Sequence, residues 1–266
     1  MRAGYGTTMP IDPSTLKPFD PIVDRFDGVE IWRASVSPMD NIAYVIADRA
    51  TGQALLVDAA EAPMRLGELI AIANDAVDEE NDSLPLEIRE RPHIHVVGIV
   101  TTHQHADHWQ ALEKMRRRLA VPSYAGELDA AGIGATVDRP LADGATLGIG
   151  HTTIEVALLR GHTPGSIALV VDVKGESTRI ITGDSLFPGG PGKTNSKNDF
   201  ERLMDDLETK IFDRFADSTV LYPGHGAPTT IGAERPHLAE WRGGGWGWFA
   251  AVAAANSSRL WGVGVG

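Results

Sequence analysis

The densest chemistry in the chain lies in Thr101-Thr102-His103-Gln104-His105-Ala106-Asp107-His108, where four metal-binding side chains fall within six residues. Imidazole and carboxylate without thiolate suit zinc, iron or manganese. The chain contains no cysteine, so any metal must be held by His, Asp or Glu. His103 and His105, at alternate positions, can converge on one ion, while the adjacent pair Asp107 and His108 points to a second. Three later segments each carry one ligand-type residue beside glycine. They are Gly161-His162-Thr163-Pro164-Gly165-Ser166, Thr182-Gly183-Asp184-Ser185 and Tyr222-Pro223-Gly224-His225-Gly226. Glycine at such points permits close backbone approach. A single His in a turn is usually a polar turn residue; the four segments together predict a metal centre.

The elements between these segments read as strands that deliver them. Val96-Val97-Gly98-Ile99-Val100 is a short continuous apolar run, as expected of a strand buried on both faces. It leads into the His-rich segment, where Asp107 suits a first helical turn. Strands are also expected at Val29–Trp32, Asn41–Ile46, Gln53–Asp58, Ile154–Leu159, Ile167–Val173, Thr178–Thr182 and Thr219–Tyr222. Helical patterns cover Pro63 to about Ala73, Trp109–Leu119 with three arginines facing water, and Asp199–Phe212. The acidic run Asp75–Asp82 reads as an exposed loop or insertion. Strand sets with helices between them predict two sheets, each covered by helices on its outer side. No linker divides the chain, so one domain is expected over residues 1–266, with a flexible or docked Gly/Trp-rich tail from about residue 243.

Composition narrows the function. At 42% hydrophobic and 23% charged residues, an ordinary buried core is expected. A formal net charge of −12, with no basic cluster beyond Arg116-Arg117-Arg118, argues against nucleic acid and anionic membranes as partners. No apolar run approaches the roughly 20 residues that span a bilayer, and Met1–Pro21 lacks a signal-peptide pattern. A cytoplasmic protein acting on a small molecule is expected; the oligomeric state is left open.

The series H-x-H-x-D-H, G-H-T-P-G-S, G-D and P-G-H-G, from about Asn41 to His225, resembles the metallo-β-lactamase superfamily. The resemblance implies an α+β fold, the four-layer αββα sandwich. It also implies two divalent ions, zinc first, with iron or manganese as alternatives. His103, His105 and His162 would bind the first ion, Asp107, His108 and His225 the second, and Asp184 would bridge them. A hydroxide bridging the ions would attack an ester-like carbonyl, with Asp107 orienting it and handling the proton. Asp58 matches a family position that buttresses the metal loop. His93, His95, His151 and His237 have no motif and are expected to be structural or exposed.

Within the superfamily the nearest resemblance is to the glyoxalase II-like group, which hydrolyses small thioesters. Gly183-Asp184-Ser185-Leu186-Phe187 and Gly192-Lys193-Thr194 carry it, making Lys193 and Phe187 candidate substrate contacts. Phe187 stands where lactone-hydrolysing relatives tend to have Tyr, and Pro191 where the group usually has Cys. A lactonase or other esterase on the same site is the first alternative. A mononuclear iron persulfide dioxygenase, using His103, His162 and Asp184 alone, is the second. That branch usually reads H-D-Y where this chain reads His225-Gly226-Ala227.

Overall fold

The computed structural model describes residues 19–85 and 90–246. The first half forms strands β1 (Ile22–Arg25), β2 (Val29–Ser35), β3 (Ile42–Asp48) and β4 (Gln53–Val57), then helix α1 (Pro63–Asp82). Strand β5 (His95–Thr101), helix α2 (Leu112–Leu119), β6 (Ser123–Gly126) and β7 (Arg139–Leu141) follow. These seven strands form one sheet in sequence order. The second half supplies β8 (Thr146–Ile149), β9 (Thr152–Leu158), β10 (Ile167–Val171) and β11 (Arg179–Gly183). Then come a short ribbon of β12 (Leu186–Phe187) and β13 (Gly190–Pro191), helix α3 (Lys197–Leu207), β14 (Val220–Pro223), β15 (Thr229–Thr230) and α4 (Ile231–Glu234). The second sheet runs β15-β14-β11-β10-β9-β8.

Strand periodicity explains the layering. Successive side chains on a strand point to opposite faces, so a strand buried on both faces must be apolar throughout. On β3, Ile42, Tyr44 and Ile46 face the second sheet, while Ala43, Val45 and Ala47 pack under α1 and α2. On β10, Ile167, Leu169 and Val171 point to the space between the sheets, and Ala168 and Val170 lie against α3. Three apolar layers thus separate helix, sheet, sheet and helix. This is the α+β, four-layer αββα sandwich.

Several local expectations are corrected. Asp75–Asp82 is not a loop: α1 runs on through it to Asp82. Leu66, Leu69, Ala73 and Val77 are buried on one face, and their spacing of three and four residues is helical. The acidic residues occupy the water-facing side. Helix α2 begins at Leu112, after a separate 3-10 turn at Ala106–His108. Arg116 is half-buried beside Glu113 and Asp138. The helix after Ser196 ends in a π turn at Glu208–Phe212. Residues 243–246 of the expected tail are helical, and Trp246 donates from Nε1 to the Thr194 carbonyl at 3.3 Å. The rest of the tail, 247–266, lies outside the described residues.

Candidate metal centre

Every predicted ligand segment emerges at one end of the sandwich. Strands β4, β5 and β6 run parallel, and β11 runs parallel to β14. Their carboxyl ends open on the same side. The chain leaves β5 at Thr101 and passes through His103 and His105 into the 3-10 turn that carries Asp107 and His108. His162 sits in the connection between β9 and β10, Asp184 follows β11, and His225 follows β14. The two sheets are laced together here, because the Ile42 amide donates to the Gly224 carbonyl at 2.8 Å. Gly224 has a steric reason to be glycine. A Cβ there would lie 2.2 Å from Asp184 Oδ1 and 2.7 Å from His108 Cε1.

The seven side chains gather into linked groups of donor atoms. His103, His105 and His162 form one group, and Asp107, His108 and His225 another; His103, His108 and Asp184 connect them. Asp184 Oδ2 lies 4.0 Å from His103 Nε2, 3.7 Å from His162 Nε2 and 3.5 Å from His225 Nε2. Its Oδ1 lies 3.4 Å from His108 Nε2. One carboxylate therefore faces nitrogens of both groups. His108 Nε2 and His225 Nε2 stand 3.2 Å apart. Two nitrogens on one tetrahedral zinc, each at about 2.0–2.1 Å, stand at roughly that separation.

The orphaned atoms show that a cation fits. His103 Nε2 and His162 Nε2 are buried with no hydrogen-bond partner among the described residues. In proteins generally the large majority of buried side-chain polar atoms are paired; the unpaired atoms here also include Asp184 Oδ1 of the same cluster. The opposite ring nitrogens of His103, His108, His162 and His225 are occupied. His103 Nδ1 contacts Thr102 Oγ1 at 3.1 Å, and that hydroxyl donates to Asp58 Oδ2. His108 Nδ1 meets Asp58 Oδ2 at 2.9 Å, His162 Nδ1 the Lys193 carbonyl at 2.8 Å, and His225 Nδ1 the Met39 carbonyl at 2.8 Å. An acceptor at Nδ1 fixes the proton there and turns the Nε2 lone pair inward. Asp58 is the hub. It is fully buried, adopts a left-handed backbone (φ 55°), and also accepts from the Thr102 amide.

Electrostatics follows the same division. Burial pulls His162 down to about 4 and places His103 well below its ordinary value, so both are neutral imidazoles at pH 7. Burial also opposes charge on His108, but Asp184 and Asp58 outweigh it and hold that ring well above its ordinary value. His225 is likewise raised by Asp107 and Asp184 against the effect of burial. Asp107 and Asp184 are pulled below the usual carboxylate range despite burial, chiefly by His225 and His108 for the first and by His108 and His103 for the second. The carboxylates are ionised and ready to bind a cation.

The other predicted residues are placed as follows. Phe187, half-buried, has its ring centroid 6.5 Å from that of His225. Lys193 is exposed, and it is its main-chain carbonyl that contacts the centre, through His162. His93, exposed, pairs with Asp78 at 2.6 Å, and His95, His151 and His237 join no ligand group. Two residues escaped the sequence reading. Asn41 donates from Nδ2 to Asp107 Oδ2 at 2.9 Å, with its Oδ1 held by the Ser37 hydroxyl. Asp129, fully buried, accepts from the Gln104 amide at 2.9 Å, from Thr163 Oγ1 and from the Gly165 amide. It ties the loop of His103 and His105 to the loop of His162. Neither belongs to a ligand motif. The only local signal was an Asn opening a strand, and an Asp in a segment with no motif gave none.

Comparison with known proteins agrees with this geometry. The family model described as Metallo-beta-lactamase superfamily matches residues 39–225. An uncharacterized protein of Mycobacterium leprae is 30% identical over 217 residues, 72% of this chain and 89% of its own length. A probable hydroxyacylglutathione hydrolase of Schizosaccharomyces pombe is 29% identical over 200 residues, 74% of this chain and 67% of its own. The crystal structure of ETHE1 from Myxococcus xanthus aligns with a TM-score of 0.61 at 26% identity, over 89% of each chain. Since that family match spans all seven side chains, the chain belongs to the metallo-β-lactamase superfamily of metallo-hydrolases.

Proposed function

We propose that this protein is a two-metal hydrolase of small ester-like substrates, thioesters first, with zinc as the preferred ion. The observation that carries the reading is the single Asp184 carboxylate facing imidazole nitrogens of both ligand groups at 3.4–4.0 Å. In this reading His103, His105 and His162 would hold one ion, Asp107, His108 and His225 the other, and Asp184 would serve both. Bound there, a pair of divalent ions supplies an activated water and polarises the substrate carbonyl. The protein supplies the rest. Asp107, ionised and steadied by Asn41, orients the attacking water and accepts its proton. Asp58 locks His108 directly and His103 through Thr102, so that neither ring turns away. Phe187 and Lys193 are the proposed substrate contacts.

The thioester preference draws support from the S. pombe relative named a probable hydroxyacylglutathione hydrolase. A lactone or another ester would be opened by the same machinery. The mononuclear iron dioxygenase needs only His103, His162 and Asp184. It leaves no use for the assembled group of Asp107, His108 and His225, which favours the two-ion hydrolase. Among the described residues no helix is long and apolar enough to cross a membrane, and we place the activity in the cytoplasm on small molecules.

A hydrolysis panel on metal-quantified protein tests the reading, with His103→Ala as control. About two zinc ions per chain and thioester turnover that falls at least a thousandfold in the variant are expected. One iron per chain, with oxygen uptake on adding persulfide, would replace it with the dioxygenase.

A further inference from the structure

Large apolar side chains exposed to water are unevenly placed in this chain. Among the described residues there are five: Ile22, Met39, Met64, Leu128 and Trp246. Three of them stand on segments fastened to the metal centre. Met39, 40% exposed, gives its carbonyl to His225 Nδ1. Leu128, 52% exposed, precedes Asp129, which clamps the loops of His105 and His162. Trp246, 37% exposed, bonds the carbonyl of Thr194, next to the Lys193 carbonyl that holds His162. Phe187, beside the His225 ring, makes a fourth apolar residue at the same end. Four separate stretches of chain bonded to or touching this polar site thus each carry an exposed or half-exposed apolar side chain. Apolar walls around a few fixed polar groups are the usual make-up of a small-molecule pocket, and an exposed apolar patch costs solubility unless something uses it.

Charge around the same mouth is sparse on the positive side. Arg160 is paired with Asp206, Lys197 with Glu201, and Arg242 with Asp205 and Glu208. Among the described residues Lys193 pairs with no carboxylate. Glu61 lies close enough to Asp107 to feel its charge. A carrier with several phosphates or carboxylates would find, outside the ions themselves, one free ammonium to pair with.

Resting on the hydrolase reading above, we infer that the substrate is an ester or thioester whose carbonyl bears an apolar arm, carrying no more than one negative charge. The arm lies against Phe187, Leu128, Met39 and Trp246, and any lone anionic group is met by Lys193.

Two thioester series separate this inference from its parent reading: straight-chain acyl-N-acetylcysteamines, which are neutral, and the matching acyl-coenzyme A thioesters, which are polyanionic. With metal-loaded full-length protein, kcat/KM in the neutral series is expected to rise about threefold per methylene from butanoyl to octanoyl. At each chain length it should exceed the coenzyme A thioester at least tenfold. The octanoyl-to-acetyl ratio should fall at least fivefold in Leu128→Ser and in Trp246→Ser. Calorimetric Kd values for non-hydrolysable thioether analogues should tighten with chain length in parallel. Turnover with a flat or falling chain-length profile, or a preference for the coenzyme A series, overturns the inference alone. No turnover of any thioester, lactone or ester overturns the hydrolase reading and the inference together.

Discussion

Asn41 shows how much of the centre depends on residues that bind no metal. Its amide holds Asp107 Oδ2 at 2.9 Å from a position 66 residues away in sequence. Partners of this kind typically contribute 10- to 100-fold to metal affinity or activity. Asn41→Ala should therefore lose 10- to 100-fold in kcat/KM and first weaken binding of the ion proposed at Asp107, His108 and His225. A metal titration checks this, and two ions bound with unchanged affinity would contradict it. The side chains that gather at this centre were legible in the sequence because each sits in a short motif at a strand's end. Asp58 was legible for the same reason. Asn41 and Asp129 were not, because their partners are set by folding and no local pattern marks them. Lys193 was singled out for its side chain, whereas the contact present is made by its carbonyl and depends on loop shape.

Among the elements, the loops at the carboxyl ends of the strands depend on one another. Asp129 accepts bonds from two different ligand loops, and it is fully buried. Its removal leaves the Gln104 and Gly165 amides without an acceptor, at about 1–3 kcal/mol for each buried unpaired group, while the Thr163 hydroxyl keeps Ser166 Oγ. Asp129→Ala should lower thermal stability by about 2 kcal/mol or more and loosen the group of His103, His105 and His162. Calorimetric unfolding with and without zinc checks both; a variant as stable as the parent would refute the clamp. Gly224→Ala isolates sterics from chemistry, because its added Cβ falls 2.2 Å from Asp184 Oδ1. It should abolish activity while the far-ultraviolet spectrum stays that of the folded sandwich. Helix α1 illustrates why some element boundaries were misread. Its last two turns expose Asp75, Asp78, Glu79 and Asp82, and a run of acids resembles a loop when the buried Val77 among them is overlooked.

The whole molecule is joined at both ends, by different means. At the metal end the sheets share backbone bonds through Ile42 and Gly224. At the far end Asp48, buried as the last residue of β3, accepts from the Thr51 amide and hydroxyl and, across the sandwich, from the His151 amide and Thr152 Oγ1. Burial raises its pKa, but these four bonds outweigh burial and leave it below the ordinary 3.8. A carboxylate depressed on folding stabilises fully above its unfolded pKa and loses that contribution as pH falls through the folded value. The melting-temperature gap between the parent and Asp48→Asn should hold from pH 7 to about 5 and close below pH 3.8. A gap independent of pH would show that the ionised form plays no part. The layer order was legible because continuous apolar strands demand cover on both faces, whereas the Asp48 latch joins two turns 103 residues apart and has no sequence signature.

The most direct test of the account is anomalous diffraction at the zinc edge from crystals of the zinc-loaded protein. Two peaks about 3.5–4 Å apart, with Asp184 oxygens reaching both and three other side chains on each, are the expected result. A single peak, or zinc bound away from Asp184, would contradict it.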